Sequence, residues 1–291
     1  MIFSVIIENM LEKNENISYF DAHFHLADCI YDGIIKDSFP PDIYACTCSH
    51  SKEEWELTEG FRNKFGMTGT ANGMTEACHA ELVSASKTNI LNSYGLHPQS
   101  AGHIDVKANA DFLEKLLQQN KLHAIGEAGF DYFTADFRQQ AEIQEEMFNI
   151  QLQLALKYNM PLIIHCRKAN EKLFEYSKEL KKLPSVLFHS FMGMPNEARA
   201  LNERGIKAFF SFGKQVMNNN KKVIACVKEL PQQVLLTETD APWQFLKEQN
   251  HTDPEEIKDI FQAFCQIRKS PPQELQSVFR ENFYNLFCLK Q

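Results

Sequence analysis

An excess of positive charge, a long apolar run and a regular spacing of cysteines are all missing from this 291-residue chain, and each lack removes a class of function. Lys and Arg total 30 against 38 Asp and Glu, a formal net charge of −8. Holding nucleic acid by a general basic field requires clustered Lys and Arg that displace counterions, so an anionic substrate here must be captured locally. The apolar stretch near Met1 is short, has no basic flank and is followed by Glu8, which makes it a poor signal peptide. No other run approaches the about 20 residues that span a bilayer. The eight cysteines, at 29, 46, 48, 78, 166, 226, 265 and 288, form no repeated CxxC pairs, which fits reduced thiols packed in a core. A cytoplasmic protein without membrane association or an obligate protein partner is expected.

With 44% hydrophobic residues the chain can bury one sizeable core. Short apolar runs that read as buried strands recur at 19–25, 43–48, 90–98, 122–130, 161–166, 185–190, 206–213 and 234–240. Between them lie amphipathic stretches such as FLEKLLQQN and FRQQAEIQEEMFNIQLQLALKYN, with apolar residues every three or four positions. Pro161, Pro184 and Pro231 each end such a stretch just before a strand. Alternating strand and helix predicts a parallel sheet, and eight strands predict an α/β fold of the (β/α)8 TIM-barrel type. The expected organisation is a lead-in over 1–18 and one barrel domain over 19–291. Residues 66–89, rich in Gly, Ala, Ser and Thr, read as a surface-loop insertion.

Asp21-Ala-His23-Phe-His25 places two imidazoles on one side of the first strand's end, where together they can hold a divalent ion. An isolated HxH is more often a hydrogen-bonded pair. Here, however, Glu127 closes AIGE, His165 closes PLIIH, His189 closes SVLFH and Asp240 closes VLLTETD. In a parallel barrel all C-terminal strand ends share one face, so these sequence-distant residues converge. Six ligands exceed the need of one catalytic zinc, and a carboxylate such as Glu127 can bridge two ions. Imidazole with carboxylate suits Zn, Mn or Fe and also admits Mg, so the ion's identity stays open.

The segments FDAHFH, YGLHPQ, AIGEAGFDY, PLIIHCRKA, FHSFMGMPNEA and LLTETDAPW, in that order from Phe20 to Trp243, resemble the signatures of the TatD-type metal-dependent deoxyribonucleases. The resemblance implies an amidohydrolase-like TIM barrel that hydrolyses DNA phosphodiesters with two metal ions. It implies that His23 and His25 bind one ion, Glu127 bridges, His165 and His189 complete the second site, and Asp240 is ligand and catalytic carboxylate. Single-stranded or frayed DNA is the expected substrate. After ETDAP the family usually continues with a Tyr-Leu-containing loop and a basic patch, whereas this chain reads WQFLKEQNHTDPEEI, which sets its substrate loop apart.

His97 either contacts a phosphate or braces a proline turn, and Arg167 either grips a phosphate or pairs with a carboxylate. Asp131 reads as an acceptor orienting a ligand histidine or as a helix cap, and Lys214 either helps neutralise a phosphate or, more commonly for such a residue, is a solvated loop lysine. Phe191, Met192 and Trp243 either line a nucleotide groove by stacking or, as is commoner beside strand ends, belong to the core. Two rival functions remain: the same fold acting on another ester or amide, such as a mischarged aminoacyl-tRNA ester, or a non-catalytic protein stabilised by metal.

Overall fold

The computed structural model describes residues 17–64 and 89–289. Eight parallel strands close into a barrel in sequence order: β1 (Tyr19–Phe24), β2 (Ile43–Ser49), β3 (Ile90–Tyr94), β4 (Ala124–Asp131), β5 (Leu162–Arg167), β6 (Val186–Phe188), β7 (Ala208–Phe212) and β8 (Leu235–Thr237). The helices around them are α1 (Leu26–Tyr31), α2 (Lys52–Lys64), α3 (Val106–Gln118), α4 (Ala135–Gln139), α5 (Ala141–Tyr158), α6 (Asn170–Glu175), α7 (Ser177–Leu180), α8 (Pro195–Glu203), α9 (Lys221–Glu229), α10 (Ile257–Arg268) and α11 (Pro272–Leu286). No described helix is long and apolar enough to cross a membrane. Nearly all of the expected lead-in at 1–18 and of the expected insertion at 66–89 lies outside the described residues.

The strands are buried on both faces, as a sheet wrapped in helices requires. Phe188 stacks on Phe210 at 5.4 Å between ring centroids, and Phe191 meets Phe210 edge-on at 4.8 Å, so Phe191 is core as expected. Three sequence expectations change. The stretch from Phe137 to Asn159 is interrupted at Gln140, whose φ −93 and ψ 15 separate α4 from α5. Lys214 is fully buried instead of solvated, because its Nζ pairs with Glu256 Oε2 at 2.7 Å and donates to Gln249 Oε1 at 2.6 Å. Cys288 is exposed rather than packed, although every described cysteine is free.

The closing seam shapes the catalytic face. β1 and β8 share one register pair, Asp21 with Thr237. Side chains and loop amides supply the rest: Thr237 Oγ1 donates to the Phe20 carbonyl at 2.6 Å, and Thr239 N donates to Asp21 Oδ1 at 2.9 Å. Asp240 N then donates to the His23 carbonyl at 3.0 Å, and His25 N to the Ala241 carbonyl at 2.8 Å. α11 covers this seam, with Asn282 Nδ2 donating to the Leu235 carbonyl at 2.7 Å.

Candidate metal centre

The seam brings Asp240, three residues beyond β8, against the two histidines that end β1. Glu127 arrives from the opposite side, inside β4, between Gly126 and Gly129. Both glycines have φ near +145, and a Cβ at Gly126 would fall 2.6 Å from the Ile163 Cβ. Only glycine permits β4 to approach β5 this closely, which accounts for the spacing in IGEAG. The register of β4 on β5 shifts between Ile125 and Ala128, so Glu127 projects from an irregular point in the strand rather than from its end.

Around Glu127 the donors sort by carboxylate oxygen. Oε2 lies 3.3 Å from His23 Nε2 and 3.4 Å from His25 Nε2. Asp240 Oδ1 is 3.3 Å from His23 Nε2 and 3.2 Å from His25 Nε2, and the two imidazole nitrogens are 3.2 Å apart. Donors that each stood about 2.0 Å from one zinc-like ion would show separations of this size. Oε1 faces a second set: His189 Nε2 at 2.6 Å and His165 Nδ1 at 3.4 Å, with 3.2 Å between those nitrogens. This donor chemistry fits two divalent ions sharing one carboxylate.

A family model described as TatD related DNase matches residues 20–288. The chain belongs to the TatD family. A Mycoplasma pneumoniae protein named as an uncharacterized metal-dependent hydrolase is 29% identical over 285 residues, covering 93% of this chain and 100% of its own length. The Escherichia fergusonii 3'-5' ssDNA/RNA exonuclease TatD is 27% identical over 229 residues, covering 76% of this chain and 87% of that protein. The crystal structure of YjjV, a TatD homologue from Escherichia coli, superimposes with a TM-score of 0.73 at 22% identity, covering 94% of this chain and 99% of that one. Family and donor set together make this TatD-family chain a metal-dependent hydrolase.

Hydrogen bonds behind the imidazoles select their tautomers. Ser93 Oγ donates to the Thr47 carbonyl at 3.1 Å, so the Cys48 thiol donates to Ser93 Oγ at 2.7 Å. Cys48 Sγ therefore accepts from His23 Nδ1 at 3.3 Å, which leaves the His23 Nε2 lone pair facing the other donors. His165 Nε2 donates to Asp131 Oδ2 at 3.1 Å, leaving Nδ1 for the site. The opposite holds at His97: its Nδ1 accepts from Gln99 N at 3.3 Å, so its Nε2 carries the hydrogen. His97 Nε2 thereby faces the site as a hydrogen-bond donor, 3.4 Å from His165 Nδ1 and 3.7 Å from Glu127 Oε1.

Among the side chains alone, charges are strongly coupled. Burial disfavours the Glu127 carboxylate, but the charges of His23 and His189 outweigh it and hold it well below its ordinary pKa. Burial also opposes charge on Asp240, yet hydrogen bonds and charge from His23 and His25 depress it. His189 is pushed up to about 9, since Glu127 overcomes the effect of burial. Burial keeps His97 neutral, well below the ordinary imidazole value. Asp131 is held down to about 2, because hydrogen bonds from His165 and Gln99 prevail over burial.

All six sequence-expected donors are brought together, and His97 and Arg167 stand at the mouth of the same cavity of about 610 Å³. Arg167 lies 3.7 Å from Asp131 Oδ2 and 4.1 Å from the Phe133 ring centroid, with its side chain 42% exposed. Asp131 resolves as the His165 acceptor, while Thr134 caps α4. Met192 and Trp243, expected in the core, are exposed at 39% and 51% and line the mouth. Sequence reasoning passed over His50 and over Glu238, whose Oε2 lies 3.7 Å from His189 Nδ1, and it assigned Cys48 to the core. A signal existed for His50, which follows β2 at the offset at which His25 follows β1 and His189 follows β6.

Proposed function

We propose that the chain hydrolyses phosphodiester bonds of single-stranded or frayed DNA with two divalent ions, Zn, Mg or Mn. His23, His25, Glu127 and Asp240 hold one ion, and Glu127, His165 and His189 the other. The observation carrying this reading is the division of donors between the two oxygens of Glu127. Bound ions of this kind acidify water and offset negative charge developing at phosphorus. Asp240 accepts the proton of the attacking water, and its carboxylate is ionised throughout the neutral range. Gln244 Nε2 steadies it, donating to Asp240 Oδ2 at 2.6 Å. His97 offers its Nε2 hydrogen, and Arg167 its free guanidinium donors, to phosphate oxygens.

The cavity has the size of a small-ligand pocket, which suits an unpaired strand end better than a duplex. Exposed Trp243 gives a nucleobase an aromatic ring to stack on, with the apolar side chain of Met192 also exposed in the same cavity lining. The exonuclease name of the Escherichia fergusonii relative points the same way. The same proposal takes 19–291 as one catalytic domain with an insertion at 66–89, working in the cytoplasm. A second reading keeps the fold and changes the substrate to another ester or amide, such as a mischarged aminoacyl-tRNA ester, since the acidic run DPEEI where the family carries a basic patch counts against a long DNA groove. Side-by-side assays decide: metal-dependent release of nucleotides from single-stranded DNA supports the proposal, and turnover of a tRNA ester alone refutes it.

A further inference from the structure

The imidazoles of His23, His25, His50, His97, His165 and His189 form a closed ring around the Glu127 carboxylate, with successive ring centroids 4.3–5.3 Å apart. Five of the six have an assigned use. His50 does not. Its Nε2 stands 3.2 Å from Glu127 Oε2, and it groups with His25 and Glu127 as a triad whose ligand atoms lie within 4.8 Å of one another. That approach to Glu127 is not aligned as a hydrogen bond, and neither ring nitrogen of His50 has such a partner among the described residues. An imidazole shielded from water with both nitrogens unpaired is destabilising, a cost that persists unless something else takes its lone pair.

The ring is nevertheless well placed. Its side chain is 17% exposed, and the His50 backbone N–H is fixed by Glu54 Oε2 at 2.7 Å. His50 Nδ1 has no hydrogen-bond partner among the described residues, so nothing behind the ring prevents it from carrying the hydrogen while Nε2 presents a lone pair to an ion beside Glu127 Oε2. We propose that His50 is a further metal ligand, adding its Nε2 to the ion that His25 and Glu127 Oε2 hold. The proposal rests on the two-ion reading and extends its ligand set from six side chains to seven. An added imidazole favours a borderline transition-metal dication over Mg²⁺. It also retains the ion while Asp240 takes up a proton.

The test uses Co²⁺ alone, titrated into the metal-free full chain and followed by calorimetry and visible absorption. Orienting groups behind a metal ligand are worth about 10–100-fold in affinity, so loss of a direct ligand should cost at least about tenfold. His50→Ala is therefore expected to weaken one of two Co²⁺ binding steps by that factor and to change the visible band, and added imidazole should restore both. His50→Gln, which keeps a polar group facing Glu127, should behave like the alanine variant. Parental affinity and spectrum in either variant overturn the proposal, as does weakened affinity with an unchanged spectrum. A parent chain that takes up no Co²⁺ overturns the two-ion reading itself, and His50 with it. Absence of DNA cleavage with the expected Co²⁺ results refutes only the substrate.

Discussion

Asp240 has φ +55, in the left-handed region that Asp and Asn occupy more readily than other side chains. Asp240→Asn therefore preserves the backbone and a weak ligand oxygen while removing the proton acceptor. Turnover is expected to fall by about 10²–10⁴, with metal content measured on the same preparation. A variant that keeps its metal and cleaves within a few-fold of the parent refutes the role. The imidazoles make a second prediction. Burial lowers the His189 pKa but Glu127 outweighs it, to about 9, so His189 is protonated at neutral pH before an ion enters. An ion must displace that proton, so affinity rises with pH and flattens above about 9. Calorimetry at pH 7 in buffers of different protonation enthalpy should show proton release, and identical heats contradict it. Residues of this kind were legible because each follows an apolar run. His50 was not, because the run at 43–48 seemed to end at Cys48.

At the scale of elements, the loops after β7 and β8 carry what the sequence left open. Lys214 ties the turn after β7 to the segment Pro254–Glu256, a buried pairing that a motif search has no means to detect in a net acidic loop. Lys214→Met removes the ion pair and leaves Glu256 only its hydrogen bonds from Asp253 N and Gln249 Nε2, and it is expected to cost about 2 kcal/mol, roughly 4–8 °C in Tm for a chain of this size. A Tm within 2 °C of the parent, roughly the effect of under 1 kcal/mol, shows that the brace is dispensable. Trp243 begins the β8 loop, its Nε1 donating to Asp28 Oδ2 at 3.1 Å. Trp243→Ala should raise KM for single-stranded DNA about tenfold and leave a small phosphodiester such as bis(p-nitrophenyl) phosphate unaffected. Equal effects on both substrates would place Trp243 in the chemistry instead. Strand order and number were legible from repeated apolar runs. The lengths of β6 and β8, three residues each, were not, since the chain stays apolar or buried after leaving the sheet.

For the whole molecule, an acidic chain acts on a polyanion only if charge is supplied at the site, and the site concentrates its donors on one carboxylate. The barrel was legible because a closed parallel sheet is a solution for eight alternating units, and it alone gathers residues as distant as His23 and Asp240. Which oxygen of Glu127 each donor faces was not legible, because it depends on the glycine-permitted approach of β4 to β5. The most direct test is the initial rate of cleavage of end-labelled single-stranded DNA as Mn²⁺ is added to the metal-free chain in known equivalents. The account predicts negligible rate in chelator and a rise that reaches its plateau at two ions per chain. A plateau at one ion, or undiminished cleavage in excess chelator, would contradict it.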